Sequence, residues 1–129
     1  MSFFKNIFGQ NDGESQENKP NIWNDLTEMS QLDEIIAESA TQTVVIFKHS
    51  TRCIVSRTAL KQFELDFKAD EKLKLYFLDL ITYRPISNEI ANRFEVEHQS
   101  PQILVIKNGK AIYNTSHSAI DAKILERFI

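Results

Sequence analysis

Val44-Val45-Ile46-Phe47-Lys48-His49-Ser50-Thr51-Arg52-Cys53-Ile54-Val55-Ser56-Arg57 is the stretch on which the fold turns. Its first four residues are an unbroken, mostly β-branched apolar run, the pattern of a strand buried on both faces. The helix predicted to follow, over about residues 53–68, gathers Ala59, Leu60, Phe63 and Phe67 onto one stripe. A buried strand passing directly into an amphipathic helix opens a βα unit. The cysteine stands at the junction.

On either side the signals alternate. Upstream, residues 21–26 read as a short edge strand and residues 30–40 as a helix with Leu32, Ile35 and Ile36 inward. Downstream, residues 73–80 read as a strand and residues 86–94 as a helix, with Pro85 acceptable in its first turn. Ile103–Ile106 is a second fully apolar strand, and Asn108-Gly109 after it is a strong hairpin signal that turns residues 111–115 back antiparallel. Residues 118–129 read as a closing helix with Ile120, Ile124, Leu125 and Phe128 inward. The order β-α-β-α-β-α-β-β-α predicts an α/β fold. Its three helical crossovers imply neighbouring parallel strands, and the hairpin adds an antiparallel edge.

Length and composition agree with one such domain. The chain has 129 residues, 42% of them hydrophobic, and only three glycines and three prolines. It is therefore neither disordered nor fibrous. A net charge of −3 is too small a bias to suggest a nucleic-acid partner. No apolar run approaches the roughly 18 residues of a membrane span. Residues 10–20 lack any aliphatic or aromatic side chain and read as a linker, so residues 1–20 divide from a domain at 21–129. Ahead of the linker, Phe3, Phe4, Ile7 and Phe8 share one face if helical, a surface for weak contact with a partner. The start is too short for a signal peptide. With a single thiol as well, the expected location is the cytoplasm.

One cysteine excludes an internal disulfide and a multi-thiolate metal site, and no metal is expected. At the start of a helix, a thiol meets unpaired backbone N–H groups and the positive end of the helix dipole, and both favour thiolate. Between Glu38 and Glu64 there is no acid, but there are Lys48, Arg52, Arg57 and Lys61. Their positive charge acts in the same direction. Ser56, three residues after Cys53, stands where a Cys-x-x-Cys pair has its second thiol and can donate a hydrogen bond to a thiolate. Any mixed disulfide on Cys53 must then be resolved by a thiol from outside. His49, Ser50 and Thr51, on the approach to the thiol, are candidates for tuning it, and His49 can reach it as a cation or a base. Ser100-Pro101, opening a central strand, is placed for a cis peptide bond.

Together these features resemble the thioredoxin fold, a central mixed sheet of about five strands flanked by helices. More narrowly, Phe47-Lys48-His49-Ser50-Thr51-Arg52-Cys53-Ile54-Val55-Ser56-Arg57-Thr58-Ala59-Leu60 resembles the YtxJ-like monothiol bacilliredoxins, and Val96-Glu97-His98-Gln99-Ser100-Pro101-Gln102 is similar to their cis-proline segment. Where that family usually carries proline after the cysteine, this chain has Ile54. The resemblance implies a thiol–disulfide oxidoreductase whose Cys53 removes a low-molecular-weight thiol, bacillithiol, from S-thiolated client proteins. The small thiol is then a co-substrate, and no other cofactor is needed. Ser100 and Pro101 offer backbone groups to the substrate, while Arg52, Arg57 or Lys48 contact the small thiol's carboxylates. Three alternatives remain. Ser50-x-x-Cys53 has the spacing of a thiol peroxidase, without the proline usual upstream. Cys53-x-x-Ser56 keeps the ends of the cluster-bridging monothiol glutaredoxin motif. The third is a non-catalytic thioredoxin-like interaction module.

Overall fold

A computed structural model of the chain describes residues 21–129, so the predicted amphipathic segment at Phe3, Phe4, Ile7 and Phe8 and the linker lie outside the described residues. In chain order the elements are β1 (Trp23–Asp25), α1 (Gln31–Glu38), β2 (Thr43–His49), α2 (Ile54–Asp66), β3 (Leu73–Asp79), α3 (Arg84–Arg93), β4 (Gln102–Lys107) and β5 (Lys110–Ser116). Two 3₁₀ segments follow, His117–Ala119 and Ala122–Phe128. The five strands form one mixed sheet in the order β1-β3-β2-β4-β5. No helix among the described residues is long and apolar enough to cross a membrane.

The sheet is centred on β2, all seven residues of which are buried. Successive side chains of a strand point to opposite faces. Val44 and Ile46 therefore join the cluster under α1 and α3, with Leu32, Ile35, Leu78, Ile86 and Ile90. Val45 and Phe47 join the other cluster, under α2, with Trp23, Phe63, Leu75 and Leu125. The α2 face is aromatic at its centre. Phe63 stacks on Trp23 at 5.6 Å and on Phe67 at 5.8 Å, and meets Phe47 edge-on at 5.5 Å. The Trp23 indole N–H donates to Glu64 Oε2 at 2.7 Å, tying β1 to α2. On the opposite face Glu38 docks α1, taking hydrogen bonds from Lys74 Nζ and the Tyr76 hydroxyl.

The hairpin forms as predicted. Asn108 and Gly109 both have positive φ, 52° and 77°, as a two-residue type I′ turn requires. Ser39 accepts from Asn108 N and Gly109 N, fastening the turn to the end of α1.

Two expectations are corrected. β4 runs antiparallel to β2, not parallel. After α3 the chain does not enter the sheet directly. Residues 94–101 travel back beside the helix, which brings His98 Nδ1 to 3.3 Å from Ser87 Oγ in the first turn of α3. The strand is then entered from the end of the sheet at which the helix began. A helical crossover followed by an extended return reverses the strand, and the periodicity of the helix does not reveal the return. The closing helix is also absent as such. Extended Ile120 divides it, and the second piece is 3₁₀, capped by Asp121, which accepts from Lys123 N at 3.0 Å. With three residues per turn, Ala122, Leu125 and Phe128 fall on one line facing the α2-side cluster.

Phe63, 1% exposed, holds this aromatic centre together. Phe63→Ala should destabilise the protein by about 3–5 kcal/mol, read as a lower urea midpoint at unchanged slope.

Candidate active site

β2 ends at His49, Ser50 to Arg52 turn the chain, and Cys53 is the N-cap of α2 with extended φ and ψ of −112° and 122°. Its carbonyl accepts the first helical bond, from Arg57 N at 3.0 Å, and its own N–H reaches Ser50 O at 3.3 Å. The Cys53 side chain makes no capping hydrogen bond and is half-buried. Ile54 and Val55 beside it are 69% and 44% exposed. The thiol thus lies at a helix start, next to an exposed apolar patch rather than under the core. Arg52 and Arg57 are exposed on the same turn, and Arg57 Nη1 donates to Thr51 O at 3.1 Å.

The Ser100–Pro101 peptide is cis. Pro101 precedes Gln102, and Gln102 pairs with Lys48. Pro101 therefore lies at the end of the sheet where β2 passes into the cysteine turn. The loop holding Ser100 and the loop holding Cys53 thus lie at the same end of the sheet.

Three side chains predicted to act on the thiol are placed differently. Ser56 is completely buried, and its hydroxyl oxygen accepts from Ser50 N at 2.9 Å and bonds to His49 Nδ1 at 2.7 Å. It fastens the turn to the helix and does not reach toward Cys53 with a hydrogen bond. His49 is 5% exposed, packed against Phe47 and Phe77. Burial holds its pKa below the usual 6.5, partly offset by Asp79 and reinforced by Arg57, so it is a neutral ring and not a cation. Lys48 points away from α2, because it is one residue out of phase with Phe47 and His49 on the strand. It lies under α3 with no exposed surface, its Nζ donating to Ser87 O at 3.2 Å. The cationic window of the sequence is therefore split across the sheet, with Arg52 and Arg57 near the thiol and Lys48 inside.

The sequence places His98 and Gln102 in the cis-proline segment but assigns neither a role. Gln102 is 1% exposed and grips the proline loop, its Nε2 donating to Glu97 O at 2.9 Å and its Oε1 accepting from Gln99 N at 3.4 Å. A polar residue opening an otherwise apolar strand was the available signal. A cavity of about 760 Å³ beside α2 is walled by His49, Thr51, Arg57, Lys61, Asp79 and Tyr83 among others. Among the described residues no three His, Cys, Asp or Glu side chains gather as a metal site.

Two outcomes follow for stability. Cys53 already has the extended backbone that a residue before proline adopts, and Ile54 is at the first helical position, where proline fits. Ile54→Pro should therefore fold unchanged and gain about 0.4–1 kcal/mol by restricting the unfolded chain, seen as a higher urea midpoint. His49 has a lowered folded-state pKa, so the unfolded chain binds more protons as pH falls through about 6.5. Stability should drop below that pH, and the drop should be smaller in His49→Asn; urea midpoints at pH 7.5 and 5.5 measure both.

Comparison with known proteins agrees with this geometry. A thioredoxin-fold structure described as an oxidoreductase is 29% identical, with a TM-score of 0.71 over 82% of this chain and 92% of that one. Malassezia sympodialis thioredoxin matches at 21% identity and TM-score 0.62, over 81% of this chain and 84% of its own. Schistosoma mansoni thioredoxin matches at 23% identity and TM-score 0.62, over 81% and 96%. The last two share the fold. The sequence profile described as Monothiol bacilliredoxin BrxC matches residues 24–125. With that match, a lone half-buried thiol at the N-cap position of α2 and a cis-proline at the same end of the sheet, the chain belongs to the monothiol bacilliredoxin family and is a thiol–disulfide oxidoreductase.

Proposed function

We propose that the protein removes a low-molecular-weight thiol, bacillithiol, from S-thiolated client proteins. The observation that carries this reading is a half-buried thiol at the N-cap of α2 with Ser56, not a second thiol, one helical turn on. Cys53 stands at the N-terminal end of α2, and Arg52 and Arg57 are exposed on the same turn, where they can meet the carboxylates of an incoming small thiol.

The thiolate attacks the small-thiol sulfur of the mixed disulfide. A new S–S bond forms between Cys53 and the small thiol, the old bond breaks, and the client cysteine leaves as thiolate and takes a proton from solvent. No group in the first turn of α2 can expel the small thiol, because Ser56 has no sulfur. A second small thiol from solution attacks the Cys53 adduct, releasing the symmetrical small disulfide and restoring the thiolate. The small thiol is thus a co-substrate, and the two steps require no metal or organic cofactor. Exposed Ile54 and Val55 supply an apolar rim for a client, and the backbone at Ser100 supplies groups for strand-like pairing.

The test is to incubate the reduced protein with a client carrying one bacillithiol and to weigh both proteins. The expected result is a shift of the small-thiol mass from client to enzyme, absent in Cys53→Ser. A Cys53 that alkylates normally yet takes up no small thiol would overturn this reading in favour of an interaction module.

A further inference from the structure

The face of the sheet opposite α2 holds a polar cluster that the chemistry at Cys53 does not use. Lys48 is entirely buried, and its Nζ lies 3.2 Å from Ser87 O and 3.4 Å from His98 Nδ1. Ser87, equally buried, brings its hydroxyl to 3.3 Å from the same ring nitrogen. Lys48 and Gln102 are cross-strand partners. Side by side they hold three consecutive residues, Glu97, His98 and Gln99, of the loop that leads into cis-Pro101.

Two physical points give this cluster a function. An ammonium has donors and no acceptor, so His98 Nδ1 accepts from Lys48, and the proton of the neutral ring is on Nε2. That nitrogen is on the edge of the ring turned away from Lys48, in a half-buried residue three positions before cis-Pro101. Second, among the described residues no carboxylate bonds to Lys48; the charged group acting on it is Arg84, at the start of α3, which is also positive. Glu97, in the same loop, is exposed and contributes its carbonyl, to Gln102. A buried charge with neutral partners costs folding free energy, and an apolar side chain of the same shape there would be neutral or stabilising.

We propose that Lys48 is a positioning residue for the exchange reaction, setting His98 as an outward Nε2–H donor beside cis-Pro101 that, with Arg84, receives a carboxylate of the small thiol in the mixed disulfide. This rests on the reading of Cys53 as the atom that takes the small thiol. Burial, then Arg84, bring the Lys48 ammonium down to about 8, and burial, Lys48 and Arg84 hold His98 below 6.5. At neutral pH the pair is therefore ammonium and neutral imidazole. Above about pH 8 the amine gains a lone pair, His98 is free to take either tautomer, and the outward donor is no longer enforced.

The test compares one client protein carrying either bacillithiol, which has carboxylates, or 2-mercaptoethanol, which has none. The ratio of kcat/KM for the two cancels the ionisation of Cys53, common to both. Lys48→Met should lower the ratio about tenfold, the weight of one charge-assisted hydrogen bond, through KM and not kcat, with an unchanged or higher melting temperature. His98→Ala, a change on the half-buried loop, should lower it similarly, and His98→Gln, with an amide N–H in place of Nε2–H, should restore it. The wild-type ratio should fall as pH rises through about 8 and stay flat in Lys48→Met. An unchanged ratio in both Lys48→Met and His98→Ala, or equal losses for the two clients, overturns the proposal. If wild-type Cys53 accepts neither small thiol, the fault lies instead with the underlying reading of Cys53.

Discussion

The alternation of side chains along β2 is the constraint from which the rest of the molecule follows. The strand is central in the sheet and buried from Thr43 to His49, so every residue must be accommodated on one face or the other. Phe47 goes to the aromatic cluster under α2, Lys48 under α3, and His49 back to the α2 side. One residue of slippage would place the ammonium among Trp23, Phe63 and Phe77 and take Phe47 out of that cluster. The register with β3 and β4 is thereby fixed, and with it the level at which the chain leaves the sheet to present Cys53.

The same strand organises both loops of the active edge from beneath. On the α2 side, His49 and Ser50 are tied to Ser56, which fixes the turn Ser50–Arg52 relative to the helix that carries the thiol at its N-cap. On the α3 side, Lys48 and its partner Gln102 hold residues 97–99 ahead of cis-Pro101. The reactive sulfur therefore needs no hydrogen bond of its own to be placed. Its position is inherited from a buried network one layer down. Ser56 illustrates the division of labour: the residue that occupies the place of a second thiol acts in the reduced protein as a structural acceptor.

Much of this was legible in the residues themselves. The βα junction at Val44–Arg57, the Asn108-Gly109 hairpin and the proline opening β4 each rest on chemistry within a few residues, and each formed as read. Direction and partners were harder. The antiparallel entry of β4 depends on a loop that folds back along α3, and the 3₁₀ ending depends on how Ala122, Leu125 and Phe128 meet a face built by distant strands. The cationic window around Cys53 is a fact of linear order. In space Lys48 leaves it, because charge summed along a strand ignores the pleat.

By itself, then, the amino-acid sequence determined a lone thiol at the start of a helix, with no second thiol to resolve it, within an α/β domain. Backbone propensity, apolar period and residue counts are local quantities, and they suffice for that. Tertiary structure alone decided that Lys48 leaves the turn of the thiol, that His49 is a buried ring with a lowered pKa, and that Lys48 meets His98 fifty residues away. Those outcomes depend on desolvation and on pairings between remote segments, which exist only once the sheet has closed.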